Sequence, residues 1–257
     1  MSLTVATWNV NSLRVRLPHL SEWLAANPVD VVALQETKIP DDDFPRAEVE
    51  ALGMQVVYSG QRTYNGVAIL ARSGCGDVVA GIPGFVDEQK RVLAATVSGV
   101  RVIDVYVPNG QEVGSDKYAY KLGWLEALRG YVAAELARHP RLVVLGDFNI
   151  APEDRDVHDP KAWEGQVLVS PAERAAFSGL LGLGMVDAFR KFNQEDNAFS
   201  WWDYRMAAFR RNMGLRIDHI LLTQPLAAQA VSCVIDKAPR KLERPSDHTP
   251  VMVELGR

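Results

Sequence analysis

Several side chains in this sequence are of the kinds that hold hard cations and move protons, and each sits at the end of an apolar run or within one. "TWNVN" carries Asn9 and Asn11, "VVALQETK" carries Glu36, and "VIDVYVPNG" carries Tyr106. "RLVVLGDFNI" carries Asp147 and Asn149, "GLRIDHILL" carries Asp218, and "PSDHTPV" carries Asp247 and His248. Residues two apart in an extended chain share a face. Asp147 and Asn149 therefore present a carboxylate and an amide together, just past Leu142 to Leu145, a run apolar enough for a buried strand. Burying such groups without partners is expensive. Taken singly, each has a structural reading. Asn9, Asn11, Asp147 and Asn149 suit turns, Glu36 can pair with Lys38, and Tyr106 can be core. Asp218 and His219 can be a surface couple, and Asp247 a cap. Taken together, the set is rich in oxygen, holds one general acid–base and has no thiol. Such donors suit Mg²⁺ or Mn²⁺ rather than zinc. A divalent cation held by carboxylates beside an imidazole is the chemistry of phosphodiester cleavage, in which phosphate charge is neutralised and water is activated.

The elements that must bring these groups together can be read from patterning. "LTVATWNV" (3–10) and "VDVVALQE" (29–36) read as strands, joined by a helix over Leu17 to Ala26 that "NP" stops. Short strands follow at 54–59, 66–72 and 76–82. Ser98-Gly99 between "RVLAATV" and "VRVIDVYV" signals a hairpin. A long helix capped by Ser115 places Leu122, Leu125, Leu128, Val132 and Leu136 on one face. The strand that ends in Asp147 comes next, then a helix over 171–184 and strands in "LRIDHILLT", "AQAVSCVID" and "PVMVEL". Hairpins mixed with strand–helix units imply antiparallel or mixed sheets with helices outside. So many strands suggest two sheets packed together.

Composition bounds the class. The 257 residues, 47% hydrophobic and 23% charged, suit one soluble globular domain spanning 1–257. Cys75 and Cys233 lie far apart, which argues against a disulfide framework and a structural zinc site. The N-terminus lacks the features of a signal peptide, and no run reaches a membrane span, so the expected setting is cytoplasmic, with no membrane partner. The net charge of −4 alone speaks mildly against nucleic acid. Its distribution is uneven, however. "RMAAFRRNMGLR" (205–216) holds four arginines and no acid, and "KAPRKLER" (237–244) is nearly as basic. Either run alone reads as solvated surface. Together they point to an anionic polymer.

"WNVNSLR", "LQETK", "YVPNG", "GDFNIAPEDRDV", "FSWWDYR", "GLRIDHILL" and "PSDHTPV", in this order, resemble the exonuclease III family of abasic-site DNA repair nucleases. That family lies in the endonuclease/exonuclease/phosphatase superfamily, and the resemblance runs from Val5 to about Val253. It implies a deoxyribonuclease I-like α/β fold, a four-layer sandwich of two mixed β-sheets flanked by helices. It implies a monomeric Mg²⁺-dependent enzyme, with Mn²⁺ able to substitute, that cuts duplex DNA 5′ to abasic sites and works at 3′ ends as exonuclease and phosphatase. Glu36 would be the chief metal ligand, with Asn9, Asp147, Asn149, Asp247 and His248 around it. Asp147 would orient or deprotonate the attacking water, and Asn149 would fix that water and a phosphate oxygen. His248 would bind the phosphate, and Asp218 would set its tautomer. Tyr106 would hydrogen-bond the phosphate or help the leaving group, with Asn11 nearby. Trp201 and Leu215 would line a slot for the base-free sugar.

Arg91, Lys117, Lys121 and Arg205 to Arg216 are the candidates for backbone phosphates, contacts that position a duplex without reading its sequence. The chain departs from the family pattern at Phe148, at Asn109 (a shorter side chain than the usual Gln) and at His219, read as a packing histidine. Loops 109–118, 155–168 and 203–214 would set the balance of activities. Two competing readings are a relative that only binds nucleic acid and a phosphatase of the same superfamily.

Overall fold

The computed structural model describes residues 2–256. In chain order, β1 (Leu3–Asn9), β2 (Val31–Gln35), β3 (Gln55–Ser59) and β4 (Val67–Ala71) begin the first sheet. β5 (Gly76–Ala80), β6 (Val92–Val97), β7 (Val100–Tyr106), β8 (Leu142–Asp147) and β9 (Met185–Asp187) build the second. β10 (Trp201–Trp202) and β11 (Gly214–Leu215) pair as a small ribbon. β12 (Asp218–Thr223) then returns to the second sheet, and β13 (Ala230–Ile235) and β14 (Val251–Leu255) return to the first. The result is two six-stranded sheets, ordered β13-β14-β1-β2-β4-β3 and β5-β6-β7-β8-β12-β9. Both are mixed, because β1–β2 and β7–β8 are parallel while their other pairings are antiparallel.

Alternation explains the layers. Along β8, Val143 and Leu145 enter the core shared by the two sheets, with Val5, Val31 and Ala33 opposite. Leu142 and Val144 face the other way, with Trp124, Leu128 and Phe177 of the covering helices Asp116–Leu136 and Pro171–Leu181. The helix Leu13–Ala26 covers the outer face of the first sheet through Leu20, Trp23 and Leu24. Both faces of each sheet are therefore buried, as the continuous apolar runs require, and the expected four-layer sandwich is what is observed.

Some boundaries differ from the reading of the sequence. The first helix begins at Leu13 and holds Pro18 inside. Its first turn is stitched to the end of the next strand, since Ser12 N–H donates to Glu36 O (2.8 Å) and Leu13 N–H to Thr37 O (3.0 Å). These bonds occupy N–H groups that a helix start leaves orphaned. Ser115 caps the long helix as expected, accepting from Tyr118 N–H. The buried face of that helix is rotated, with Tyr118, Lys121, Trp124 and Leu125 inside and Leu122 and Leu136 only half-buried. The Ser98-Gly99 turn has φ of 49° and 75°, as a two-residue hairpin loop of the mirror-image type needs. "LRIDHILLT" is divided, because Arg216 N–H leaves the ladder to donate to Asp156 O.

Candidate active site

The inner-face columns change character at one end of the sandwich. Val5, Thr7 and Asn9 follow one another on β1, and Val143, Leu145 and Asp147 on β8. β12 runs Leu222, Ile220, Asp218, and β7 runs Val102, Asp104, Tyr106. Register brings the ends level: Asp147 faces Asp218 on one side and Tyr106 on the other, and Asn9 faces Gln35. Gly146, at φ 146°, lets β8 reach this rim, because a Cβ there would stand 1.9 Å from Val105 O.

At the rim, Glu36, Asp147 and His248 bring ligand atoms within 4.8 Å of one another. Asn9 Nδ2 donates to Glu36 Oε1 and Asp147 Oδ2, both at 2.9 Å. Its Oδ1 accepts from Asn11 N–H. Asn9, expected as an oxygen ligand, therefore clamps the two carboxylates through its N–H groups. Asp147 also accepts from Asn149 N–H at 2.9 Å. The Asn149 amide is engaged by Val107 O and Asn109 Nδ2. Glu36 and Asn149 both adopt positive φ, 52° and 50°, so the backbone turns sharply where each side chain enters the site.

His248 Nδ1 lies 2.9 Å from Asp218 Oδ2, and Nε2 lies 3.6 Å from Asp147 Oδ2. Ser200 Oγ donates to Asp218 Oδ2 at 2.6 Å and accepts from two backbone N–H groups. Burial opposes the charged imidazole, but Asp218 and Asp147 outweigh it and push the pKa of His248 up to about 10. In that state His248 offers an N–H at Nε2, and its ring stands with Glu36 and Asp147 in the group whose ligand atoms could hold a metal ion, as expected from the sequence. Burial, with Asp218 and Glu36 nearby, pushes Asp147 up to about 7 against the pull of His248 and Asn9. Burial and then the Glu36 and Asp147 carboxylates raise Tyr106 well above the usual phenol range, so its hydroxyl is a donor. Arg91 lies over the Tyr106 ring at 4.6 Å. Three carboxylates here meet one cationic ring and the Lys38 ammonium, whose Nζ lies 3.0 Å from Glu36 Oε2, so negative charge still outnumbers positive, and oxygen donors of this kind fit a hard divalent cation.

The other expected residues are placed as follows. Asn11 donates to Asp247 Oδ1 at 2.9 Å, and Trp201 Nε1 to Asp247 Oδ2 at 3.0 Å. Burial opposes ionisation of Asp247, but His248 and these two donors hold its pKa below the usual range. Both of its oxygens are thus engaged away from the Glu36–Asp147–His248 group. Trp201 is half-buried and bridges His248 through its backbone. Leu215 is fully buried among Val157, Leu168 and Ile217, so it backs Trp201 and does not itself face a sugar. Arg91 and Lys117 line a cleft of about 790 Å³ with Glu36, Tyr64, Tyr106 and Asn109.

Three of the basic candidates are buried: Arg91, which donates to Gln89 Oε1 and Tyr106 O at the wall of the cleft, Lys121 and Arg216. Lys121 is 0% exposed, ion-paired with Glu173, and donates to Asn109 O and Asn149 O. It anchors the loops that leave β7 and β8 and cannot meet a DNA phosphate. Arg216 is 1% exposed between Asp156 and Asp187. Arg205 is exposed but paired with Asp203, whereas Arg210 and Arg211 are exposed. In the second basic run Arg240 is buried over the rings of Trp202 and Phe209. The reading of the sequence also passed over Ser200, although it lies inside "FSWWDYR".

The chain matches the model of the endonuclease/exonuclease/phosphatase family over residues 6–248. It is 36% identical to exodeoxyribonuclease III of Haemophilus influenzae, over 97% of this chain and 98% of that protein. Among solved structures it is similar to the 3′ phosphatase NExo from Neisseria bound to a product DNA hairpin. That pair shares 49% identity with a TM-score of 0.98, covering 99% of this chain and 100% of the other. An AP endonuclease from Archaeoglobus fulgidus shares 40% identity with a TM-score of 0.94, over 98% of both chains. Among the described residues no helix is long and apolar enough to cross a membrane.

Proposed function

The chain belongs to the endonuclease/exonuclease/phosphatase family, and on that premise we propose that it is a Mg²⁺-dependent DNA repair phosphodiesterase. It is homologous to exodeoxyribonuclease III and to AP endonucleases. Its substrates in this reading are abasic sites in duplex DNA and blocked or recessed 3′ ends. The convergence of Glu36, Asp147 and His248 within 4.8 Å, from segments scattered along the chain, carries the proposal.

Glu36 and Asp147 would hold the cation, which when bound neutralises phosphate charge and stabilises the leaving oxyanion. The chain's own residues do the rest. His248, protonated and pinned by Asp218, donates from Nε2 to a phosphate oxygen. Asp147, fixed by Asn9 and Asn149, accepts a proton from the attacking water. The Tyr106 hydroxyl donates at the phosphate or the leaving oxygen. Trp201, joined to His248 through the backbone, offers an indole face beside the phosphate site. A sugar without its base can reach that face without the unstacking that an intact nucleotide requires. The cleft lined by Arg91 and Lys117 suits the backbone of a duplex, and the protein acts as a monomer.

The test uses three duplexes carrying an abasic site, a 3′-phosphate or a recessed 3′ end, each with Mg²⁺ or with a chelator. Incision or trimming that needs Mg²⁺ and vanishes in Asp147→Asn supports the proposal. DNA binding without any product under all conditions would replace it with a binding-only role. The relative rates on the three duplexes give the balance of activities.

A further inference from the structure

One step below the rim, three polar side chains meet where the inner faces of the sheets would otherwise touch. Thr7 comes from β1, Gln35 from β2 and Asp104 from β7, and all are 0% exposed. Gln35 Nε2 donates across the sandwich to Asp104 Oδ1 at 2.7 Å and along its own sheet to Thr7 Oγ1 at 2.9 Å. Gln35 Oε1 and Asp104 Oδ2 are buried without a partner. The preceding inward positions are Val31 and Ala33 on β2 and Val100 and Val102 on β7. Packing alone would therefore continue with apolar residues at 35 and 104. Replacing a buried polar pair by well-packed apolar groups is often neutral or stabilising, so stability does not account for this cluster.

What a hydrogen bond adds over an apolar contact is a fixed direction and length. This one joins the two sheets at a telling place. Gln35 is the last residue of β2, and the next residue, Glu36, turns into the site at φ 52°. Asp104 lies two residues before Tyr106 on the same face of β7. Glu36 and Tyr106 line one cleft and come from opposite sheets. We infer that the Gln35–Asp104 tie, braced by Thr7, is a positioning clip that sets the distance between the Glu36 side and the Tyr106–Asp147 side of the cation site. It rests on the phosphodiesterase reading above. Burial raises the pKa of Asp104 well above the usual carboxylate range against the pull of Gln35 and the Ala68 N–H. Asparagine, which keeps the shape and the acceptor oxygen that Gln35 meets, is its conservative substitute.

The experiment measures Mn²⁺ affinity by calorimetry, unfolding free energy by denaturant, and kcat and KM on the best duplex substrate. In the double variant Gln35→Leu with Asp104→Leu, which removes both partners at once, unfolding free energy stays level or rises. Mn²⁺ binding weakens about 10-fold or more, the range seen when groups that orient metal ligands are removed, and kcat falls with it. Asp104→Asn restores both to within about threefold of wild type, because its amide oxygen still accepts from Gln35 Nε2. A double leucine variant that binds Mn²⁺ as wild type does would overturn the clip. So would a loss of affinity matched by an equal loss in Asp104→Asn. Should leucine at 104 prevent folding, Gln35→Met keeps the side-chain length, removes the N–H donors and carries the same expectation for Mn²⁺ affinity and kcat. Wild type that fails to bind Mn²⁺ at all would instead remove the phosphodiesterase reading.

Discussion

Two clusters of charge, one buried and one largely so, are built on opposite plans. At the rim, Glu36, Asp147 and Asp218 gather around the imidazole of His248, with only the Lys38 ammonium beside Glu36 as a second cation. Below the ribbon, Asp156 and Asp187 meet the guanidiniums of Arg190 and Arg216. Burial opposes ionisation of an aspartate in either place. At Asp156 the two arginines overcome it, and the pKa falls below the usual range. At Asp147 the neighbouring carboxylates add to it, and the pKa is pushed up to about 7. A balanced buried cluster is architecture, and one left with surplus negative charge is a place prepared for a cation from outside.

The sharpest way to break this contrast is to make the same change in both clusters. Asp147→Asn should lower turnover on the order of 10⁴-fold, the upper range for losing a general base, and leave the fold intact by circular dichroism. Asp156→Asn should do the reverse. It leaves Arg190 without its carboxylate and Arg216 with Asp187 alone, and unfolding free energy should drop by about 3 kcal/mol with kcat per folded molecule nearly unchanged. Equal effects on stability from the two variants would erase the distinction.

His219 sharpens the contrast through pH. Its Nδ1 faces Arg216, its Nε2 lies 2.8 Å from Ile150 O, and its ring packs on Phe148 and Phe177. The guanidinium can only donate, so Nδ1 accepts, Nε2 carries the hydrogen and the ring is neutral. Burial and then Arg216 lower its pKa from 6.5 to about 4. Between those values the unfolded chain binds a proton that the native chain does not. Stability from this residue, roughly 3 kcal/mol, is thus full above pH 6.5 and drains away as pH falls toward 4. Denaturant titrations from pH 7 to 4 should show a shallower decline in His219→Gln. The smallest effect concerns DNA. Lys117→Ala should reduce the slope of log affinity against log salt by about 0.9, the value for one phosphate contact on duplex DNA. An unchanged slope would take Lys117 out of the interface.

Much of this arrangement was legible in the sequence, and particular residues show why. The run Val143, Leu145, Asp147 displays both the strand and the point where it meets the rim, because alternation is a local property. The neutral role of His219 depends on Arg216 turning inward, which only the tertiary structure decides. Arg216 itself looked like surface because it shares a basic run with the exposed Arg210 and Arg211. Lys121 had a signal that went unused. Tyr118, Lys121, Leu125 and Leu128 follow helical spacing, so the lysine lay on the apolar stripe. The partners that allow it there, Glu173 and two loop carbonyls, are distant in sequence or carry no side-chain signature.

That buried ammonium has a practical consequence. Lys117 and Lys121 stand one turn apart on a single helix, one bathed in solvent and the other sealed beneath the catalytic loops. An acylating reagent should tag the first in the intact protein and reach the second only when those loops let go. The ratio of the two tags, read by mass spectrometry, becomes a built-in gauge of whether the reactive end is assembled.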